Sequence, residues 1–343
     1  LRRRQKNMSK HGVKKIFGKS QKLWILVAVM LVLTILQPGV FLTGANMKSI
    51  LLSISIYGIM VCGTIFPILL GGIDLSVGAV AAAAGALTVT QIVGHNYSAT
   101  SVVIGIAGGL LLGCVVGLVH GLIVTQFGVP AFLITLASQN IVYGIAQLLT
   151  GNNVIPCMEP ASFAFLGGGR LLGVPFSIYI MAIMAALSHI ILNKTVFGRN
   201  VYAVGGNPEA CRLSGVRSRL VTIAAYVASG FTAALAGIVL ASMNRQAIAK
   251  AAQGYDNFVL TALVVGGASL MGGEGSVLAA IWGAFLVGVV QNGLRLMGVA
   301  SDYHGIFKCI VIVAAVALDA HVRYKKSGLQ KGGLFKKKAK AAE

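Results

Sequence analysis

The sequence predicts an all-α protein, a polytopic integral membrane bundle of about ten transmembrane helices with one short helix on the cytoplasmic side. Three observations predict it. The chain is 57% hydrophobic and 10% charged, with mean hydropathy +0.86, and its apolar runs approach or exceed the roughly 20 residues a helix needs to cross a bilayer. Soluble folds need far more polar surface to cover so much Leu, Ile, Val and Ala. The net charge is nevertheless +20, with nine Lys/Arg in residues 1–22, five in 194–220 and eight in 323–343. Neutral apolar stretches parted by a few basic segments describe a multi-span protein whose basic segments face the cytoplasm. Third, the 44 glycines, many in Gly/Ala runs such as 78–85, suit the close helix approach that small residues permit in lipid.

Three parts follow: a basic cytoplasmic segment 1–22, a transmembrane domain 23–322 containing a basic loop at 194–219, and a basic cytoplasmic tail 323–343. Spans are expected near 23–42, 50–70, 75–93, 101–126, 131–149, 175–193, 220–243, 257–271, 277–299 and 304–322. Their even number puts both termini on one side, and the loop after the sixth span falls there too, so parity and charge agree. Met8 reads as the native start. The stretch 23–36 reads as an uncleaved first span, because no small-residue cleavage site follows it. The tail with Lys336, Lys337 and Lys338 is expected beside anionic lipid. Residues 150–174 and 244–256 read as loops on the opposite side.

Several function classes lose support. The basic segments abut spans and carry few aromatics, unlike a nucleic-acid surface. The five cysteines are scattered, without metal or disulfide spacing. The nearest approach to a phosphate-binding loop, Gly18-Lys19-Ser20, has Val13 where the first glycine is required. No HExxH, GxSxG or paired carboxylates suggest an enzyme.

Residues 71–78 (GGIDLSVG) interrupt a long apolar run just after Pro67. Asp74 is the sole acid before Glu159, and a lone acid within apolar sequence points to function. Gly71 and Gly72 allow a tight break. Asp74 suits the N-cap of the next helix, with Ser76 in its first turn; a purely structural cap and a substrate contact both fit. Gly266-Gly267 and Gly272-Gly273 bring a similar pattern, which hints at two related halves; coincidence explains so short a match equally well. Gln139, Tyr143 and Gln147 are spaced by four on one helix face, flanked by Asn140. Gln291, Asn292 and Arg295 fall on adjacent faces of the ninth span. Such groups turn inward, as interhelical ties or as the lining of a path.

The basic loop encodes a two-turn helix. Asn207 suits the N-cap and Pro208 the first helical position. Glu209 suits the N-terminal end, Ala210 and Leu213 the body, and Arg212 the last turn. Ser214 leads to Gly215, which suits the left-handed residue that ends a helix.

Four stretches, 71–78 (GGIDLSVG), 129–136 (VPAFLITL), 205–215 (GGNPEACRLSG) and 264–277 (VVGGASLMGGEGSV), with Gln291-Asn292-Gly293-Leu294, resemble the ribose/xylose-type sugar permeases of bacterial ABC importers. Their order is the family's, and they span nearly the whole chain. The resemblance implies a permease of the inner membrane that pairs with a second copy or a second permease, with the translocation path between them. It implies two ATPase subunits, or one fused ATPase chain, which bind ATP and Mg and dock on a coupling helix, here 207–215. It implies a solute-binding protein that delivers a pentose or hexose, with nucleosides and furanone-type signals as other cargo. By the resemblance Asp74 and Ser76, with Gly71 and Gly72 beside them, would belong to the signature near the central helices; Gln139, Asn140, Tyr143 and Asn292 are path candidates on their polarity within spans. No bound cofactor is expected. An ion-coupled secondary transporter, with Asp74 and Asp256 as coupling acids, is the reading from another class. The chain departs from the family at 254–258 (GYDNF), at Gln291 and at Arg295.

Overall fold

A computed structural model describes residues 26–299. The tenth expected span and both basic termini lie outside the described residues.

The chain is a helical membrane bundle. α1 (Leu26–Leu36) leads into α2 (Gly44–Leu69), α3 (Val77–Gly94), α4 (Ala99–Phe127) and α5 (Ala131–Thr150). Then follow α6 (Ala161–Gly168), α7 (Phe176–Lys194), α8 (Val196–Gly206), α9 (Pro208–Leu213), α10 (Ser218–Asn244), α11 (Tyr255–Val265) and α12 (Val277–Leu296). Among the described residues seven helices are long and apolar enough to cross a membrane, and α1 and α11 are shorter apolar helices. Local chemistry sets the ends. Thr43, Ser98 and Ser276 accept from the backbone N–H three residues on, and Gly128 and Gly151 end α4 and α5 in the left-handed conformation.

The expected span 257–271 is corrected. The helix there ends at Val265 after 11 residues, about 16 Å of rise at 1.5 Å per residue, too short for a bilayer. Gly267, Gly272 and Gly273 take positive φ and make the following stretch a loop.

α2, α3 and α10 form the core, and α4, α5 and α7 surround it. α4, α5 and α7 expose Leu111, Ile141, Leu148, Ile183 and Ile190, an apolar outer surface suited to lipid or to a partner helix. Gly105, Gly109, Gly113, Gly117 and Gly121 lie at intervals of four along α4, and all five are buried. A Cβ at Gly105 or Gly109 would press on α3 at 2.8–2.9 Å from a backbone oxygen, and one at Gly121 would sit 2.6 Å from Ile223 Cα of α10. The helices therefore touch backbone to backbone.

At the end of the bundle away from α9, β1 (Ile155–Pro156) pairs antiparallel with β4 (Gln246–Ala247), which joins the two loops read from sequence. β2 (Arg170–Leu171) and β3 (Val174–Pro175) close a small hairpin. The Ser242 hydroxyl accepts from Gly167 N at 2.8 Å and donates to the Phe163 carbonyl at 2.5 Å, which fixes α6 on α10.

Candidate functional site

The break between α2 and α3 is a built elbow. Pro67 lies in the last turn of α2, and its carbonyl accepts from Leu70 N at 3.0 Å and Gly72 N at 2.9 Å, while Gly71 takes φ +79°. The chain then runs without helix to Ser76. Asp74 is buried, and its carboxylate holds three donors: Ser76 N at 3.0 Å, Ser76 Oγ at 2.6 Å and Ser229 Oγ of α10 at 2.7 Å. The expectation that Asp74 itself caps α3 is corrected. Ser76 occupies the N-cap position without a side-chain cap bond, because Asp74 closes a turn onto the N–H two residues on and takes the Ser76 hydroxyl as well. Two rings border this carboxylate. Tyr226 of α10 and His120 of α4 meet edge to face, centroids 6.3 Å apart, and His120 Nε2 lies 2.6 Å from Ser138 Oγ of α5. A Cβ at Gly72 would run into the Tyr226 hydroxyl. That hydroxyl and His120 Nδ1 are buried with no hydrogen bond to the protein.

The polar face of α5 meets a second feature. Gln139, Asn140, Tyr143 and Gln147 line a cavity of about 270 Å³ together with Gly144, Lys250 and Gln253. Lys250 and Gln253 arrive on residues 245–254, which turn back into the bundle after α10. The Tyr143 hydroxyl donates to the Ala252 carbonyl at 3.3 Å. The helix that follows, α11, begins at mid-depth: Tyr255 and Phe258 of its first turns each lie 4.9 Å from Tyr57, halfway along α2. A half-helix entered by a descending segment, with polar groups at its mouth, is similar to the discontinuous helices that many secondary transporters place at their binding sites. Sequence reasoning missed Lys250 and Gln253 because hydropathy carries no depth for a loop. The signal was Lys250 set among Ala247, Ala249, Ala251 and Ala252, more apolar than a surface loop requires. Thr135 of α5 ties this face to the elbow by donating to the Ile73 carbonyl at 3.0 Å.

α9 carries the capping chemistry read from its residues. Asn207 Oδ1 accepts from Ala210 N at 2.9 Å, Pro208 opens the helix, and Arg212 pairs with Glu209 at 2.7 Å on the exposed side. Ser214 is the C-cap, and Gly215 at φ +79° lets Val216 N reach the Cys211 carbonyl at 3.0 Å and its own N–H the Arg212 carbonyl at 3.1 Å. Those two bonds are the Schellman pattern. The exposed pair itself contributes little, ~0–1 kcal/mol. What the segment presents is a capped, rigid knob with Leu213 exposed at its tip.

A family model described as the permease component of a branched-chain amino acid transport system matches residues 46–316. The chain belongs to this permease family. The permease is 36% identical over 320 residues to the ribose import permease of Bacillus subtilis strain 168, covering 93% of this chain and 97% of that one. It is 36% identical to the ribose import permease of Escherichia coli K12 over 88% of this chain and 93% of that one. It is 32% identical to the L-arabinose ABC transporter permease of Azospirillum brasilense over 93% and 92%. No solved structure matches the chain.

Other polar residues of the permease tie helices to one another. Asn292 of α12 and Asn46 of α2 form a reciprocal amide pair at 3.0 and 2.8 Å, and Asn46 Nδ2 also donates to the Phe41 carbonyl at 2.7 Å. Asn292 is not among the residues that line the α5 cavity. Gln291 accepts from the Tyr57 hydroxyl at 3.2 Å. Replacing Asn46 with Leu should cost about 1–3 kcal/mol, because it strands the Asn292 amide in the interior. The Asn46→Leu/Asn292→Leu double variant should recover part of that loss, as thermal unfolding in detergent will show.

Proposed function

We propose that this permease is the membrane subunit of a bacterial ABC importer for a pentose or hexose. What carries the reading is near-full-length likeness to ribose and arabinose permeases. The site supports it. The amides of Gln139, Asn140, Gln147 and Gln253 and the Tyr143 hydroxyl offer both donors and acceptors, the chemistry a polyhydroxylated solute matches. A cavity of about 270 Å³ sits near the lower bound of ligand pockets, roughly 300 Å³, so it suits a single monosaccharide.

Asn140 is exposed near the middle of α5, where lipid would leave its amide unsatisfied. A second permease subunit covering this face encloses the cavity as a path between the two. Two ATPase subunits, or one fused ATPase chain, bind ATP and Mg and dock on 207–215, so hydrolysis lies outside this chain. A solute-binding protein delivers the sugar. Both basic termini and α9 then face the cytoplasm in the inner membrane, and no nucleic acid is involved. ATP binding shifts the pair between outward- and inward-open states by acting on α9.

The test is co-purification from detergent-solubilised membranes, then uptake in proteoliposomes. An ABC ATPase and a sugar-binding protein are expected with the permease, and import is expected to require ATP. Gly215→Val forces a β-branched residue to φ +79° and Arg212→Glu reverses a charge on the exposed face. Both variants should insert normally and lose more than tenfold of uptake; normal uptake in both would sink the role of α9. Recovery of the chain alone, transporting without ATP, would favour the ion-coupled reading and Asp74 as its acid.

A further inference from the structure

Gly205, Gly71, Gly272 and Gly273, from three Gly-Gly pairs far apart in sequence, meet at one point of the fold, while a side chain on Gly206 would meet nothing there. Gly205-Gly206 ends α8, Gly71-Gly72 follows α2, and Gly272-Gly273 lies between α11 and α12. The Leu69 carbonyl at the end of α2 accepts from Gly273 N at 2.8 Å. Gly205 presses on that same carbonyl, so a Cβ there would collide with it and lie 2.8 Å from Gly273 N. A Cβ at Gly272 would sit 2.9 Å from the Gly205 carbonyl oxygen and 2.9 Å from Gly71 N. Two side chains bolt α8 onto this point: the Tyr202 hydroxyl donates to the Gly275 carbonyl at 2.8 Å, and Phe197 packs on Phe66 with ring centroids 5.8 Å apart. α9 starts from the same joint, because Asn207 is both the C-cap of α8 and the N-cap of α9.

We infer that this glycine junction is the gear through which α9 moves the interior of the permease. Contacts between backbones have no side chain to absorb a displacement, and packed interfaces switch between discrete arrangements rather than stretch. A shift of α9 therefore moves two elbows at once. One is residues 70–76, which carry Asp74. The other is residues 266–276, which hold the lower end of α11, and the upper end of α11 adjoins the cavity lined by Lys250 and Gln253. α11 is the rod between junction and cavity, and Tyr202 is a positioning residue that fixes α8 to its base. The inference rests on the importer reading for its driving force, whereas the mechanical link stands on the contacts alone.

Two adjacent glycines provide the test. Gly205→Ala places a methyl on the Leu69 carbonyl; Gly206→Ala, one residue on, meets nothing within 4 Å. The full complex in proteoliposomes is supplied with ATP and radiolabelled ribose and L-arabinose, and sugar imported per ATP hydrolysed is measured. Gly205→Ala should keep the ATPase bound and hydrolysing while the ratio falls at least tenfold. Tyr202→Phe should lower it two- to fivefold, and Gly206→Ala should match the parent. An unchanged ratio in Gly205→Ala, whether both rates hold or fall together, overturns the inference; Tyr202→Phe decides if Gly205→Ala does not assemble. Hydrogen exchange on the permease alone in nanodiscs is the second arm. Gly205→Ala, or Tyr202→Phe if that chain does not assemble, should raise exchange in 69–76 and in 266–276 together, and a rise confined to α8, or none, overturns the link. A parent complex that imports neither sugar with ATP counts against the importer reading, and the exchange arm then judges the junction by itself.

Discussion

Asp74→Ala should abolish uptake and lower the melting temperature in detergent by roughly 5 °C, the shift that about 3 kcal/mol produces in a chain of this length. The carboxylate accepts three hydrogen bonds at a buried position. Removing it strands Ser76 N–H, which has no freedom to turn elsewhere, and loosens Ser229 from the elbow. Each stranded buried donor costs about 1–3 kcal/mol. Asp74→Asn separates geometry from charge. Its carbonyl oxygen can still accept from Ser76, and its amide can donate to Ser229 Oγ, so the elbow keeps its shape. Near-normal uptake by Asp74→Asn would make this residue a structural tie between α3 and α10. Lost uptake with an unshifted melting temperature would mean that the negative charge acts in transport, beside His120 and Tyr226.

Local signals are legible in this sequence, and signals of depth are not. α9 was legible because every residue that defines it, from Asn207 to Gly215, acts within its own two turns. The elbow was legible as a lone acid between glycines and a helix. Its partner was not, for Ser229 lies 155 residues away from Asp74 and no periodicity brings α10 to that point. The end of α11 is not legible because residues 258–271 are apolar or small throughout, so hydropathy runs on through Gly266 and Gly267, where the backbone turns. The Gly-Gly stretches that hinted at related halves prove to be neighbours in space. The elbows before α3 and α12 do share a plan, with Asp74 two residues before Ser76 and Glu274 two before Ser276, each serine at the N-cap position. They differ in chemistry: Ser276 accepts from Ala279 N at 3.3 Å, whereas the Ser76 hydroxyl donates to Asp74. The polar face of α5 was visible at its spacing of four, but the segment bearing Lys250 and Gln253 was not, because it gains its meaning only by turning back into the bundle.

Gly113→Leu is expected to prevent assembly of the bundle. At this crossing a Cβ on Gly113 of α4 would run into the Gly230 carbonyl of α10 and lie 2.6 Å from Ala234 Cβ, and a Cβ on Gly230 would run into the Gly113 carbonyl. Neither backbone can give way, so the helices must separate. In lipid no hydrophobic force draws them back, because the tails are as apolar as the side chains; close packing of small residues is what holds the pair. The cost should exceed the roughly 1–3 kcal/mol of an overpacked soluble core. It should also reach the elbow, since Ser229 and Tyr226 sit on the same stretch of α10 and a displaced α10 withdraws the hydroxyl that Asp74 accepts. Size-exclusion chromatography in detergent should show an aggregated peak for Gly113→Leu, with no measurable uptake from membranes. Gly108→Leu is the control on the same helix, because a Cβ there meets only Leu87 Cδ2 at 3.6 Å, and it should elute and transport as the parent does. A monodisperse, active Gly113→Leu would mean that α4 and α10 do not cross backbone to backbone. The position of Tyr226 and Ser229 beside Asp74 would then need another explanation, because that crossing is what delivers α10 to the elbow.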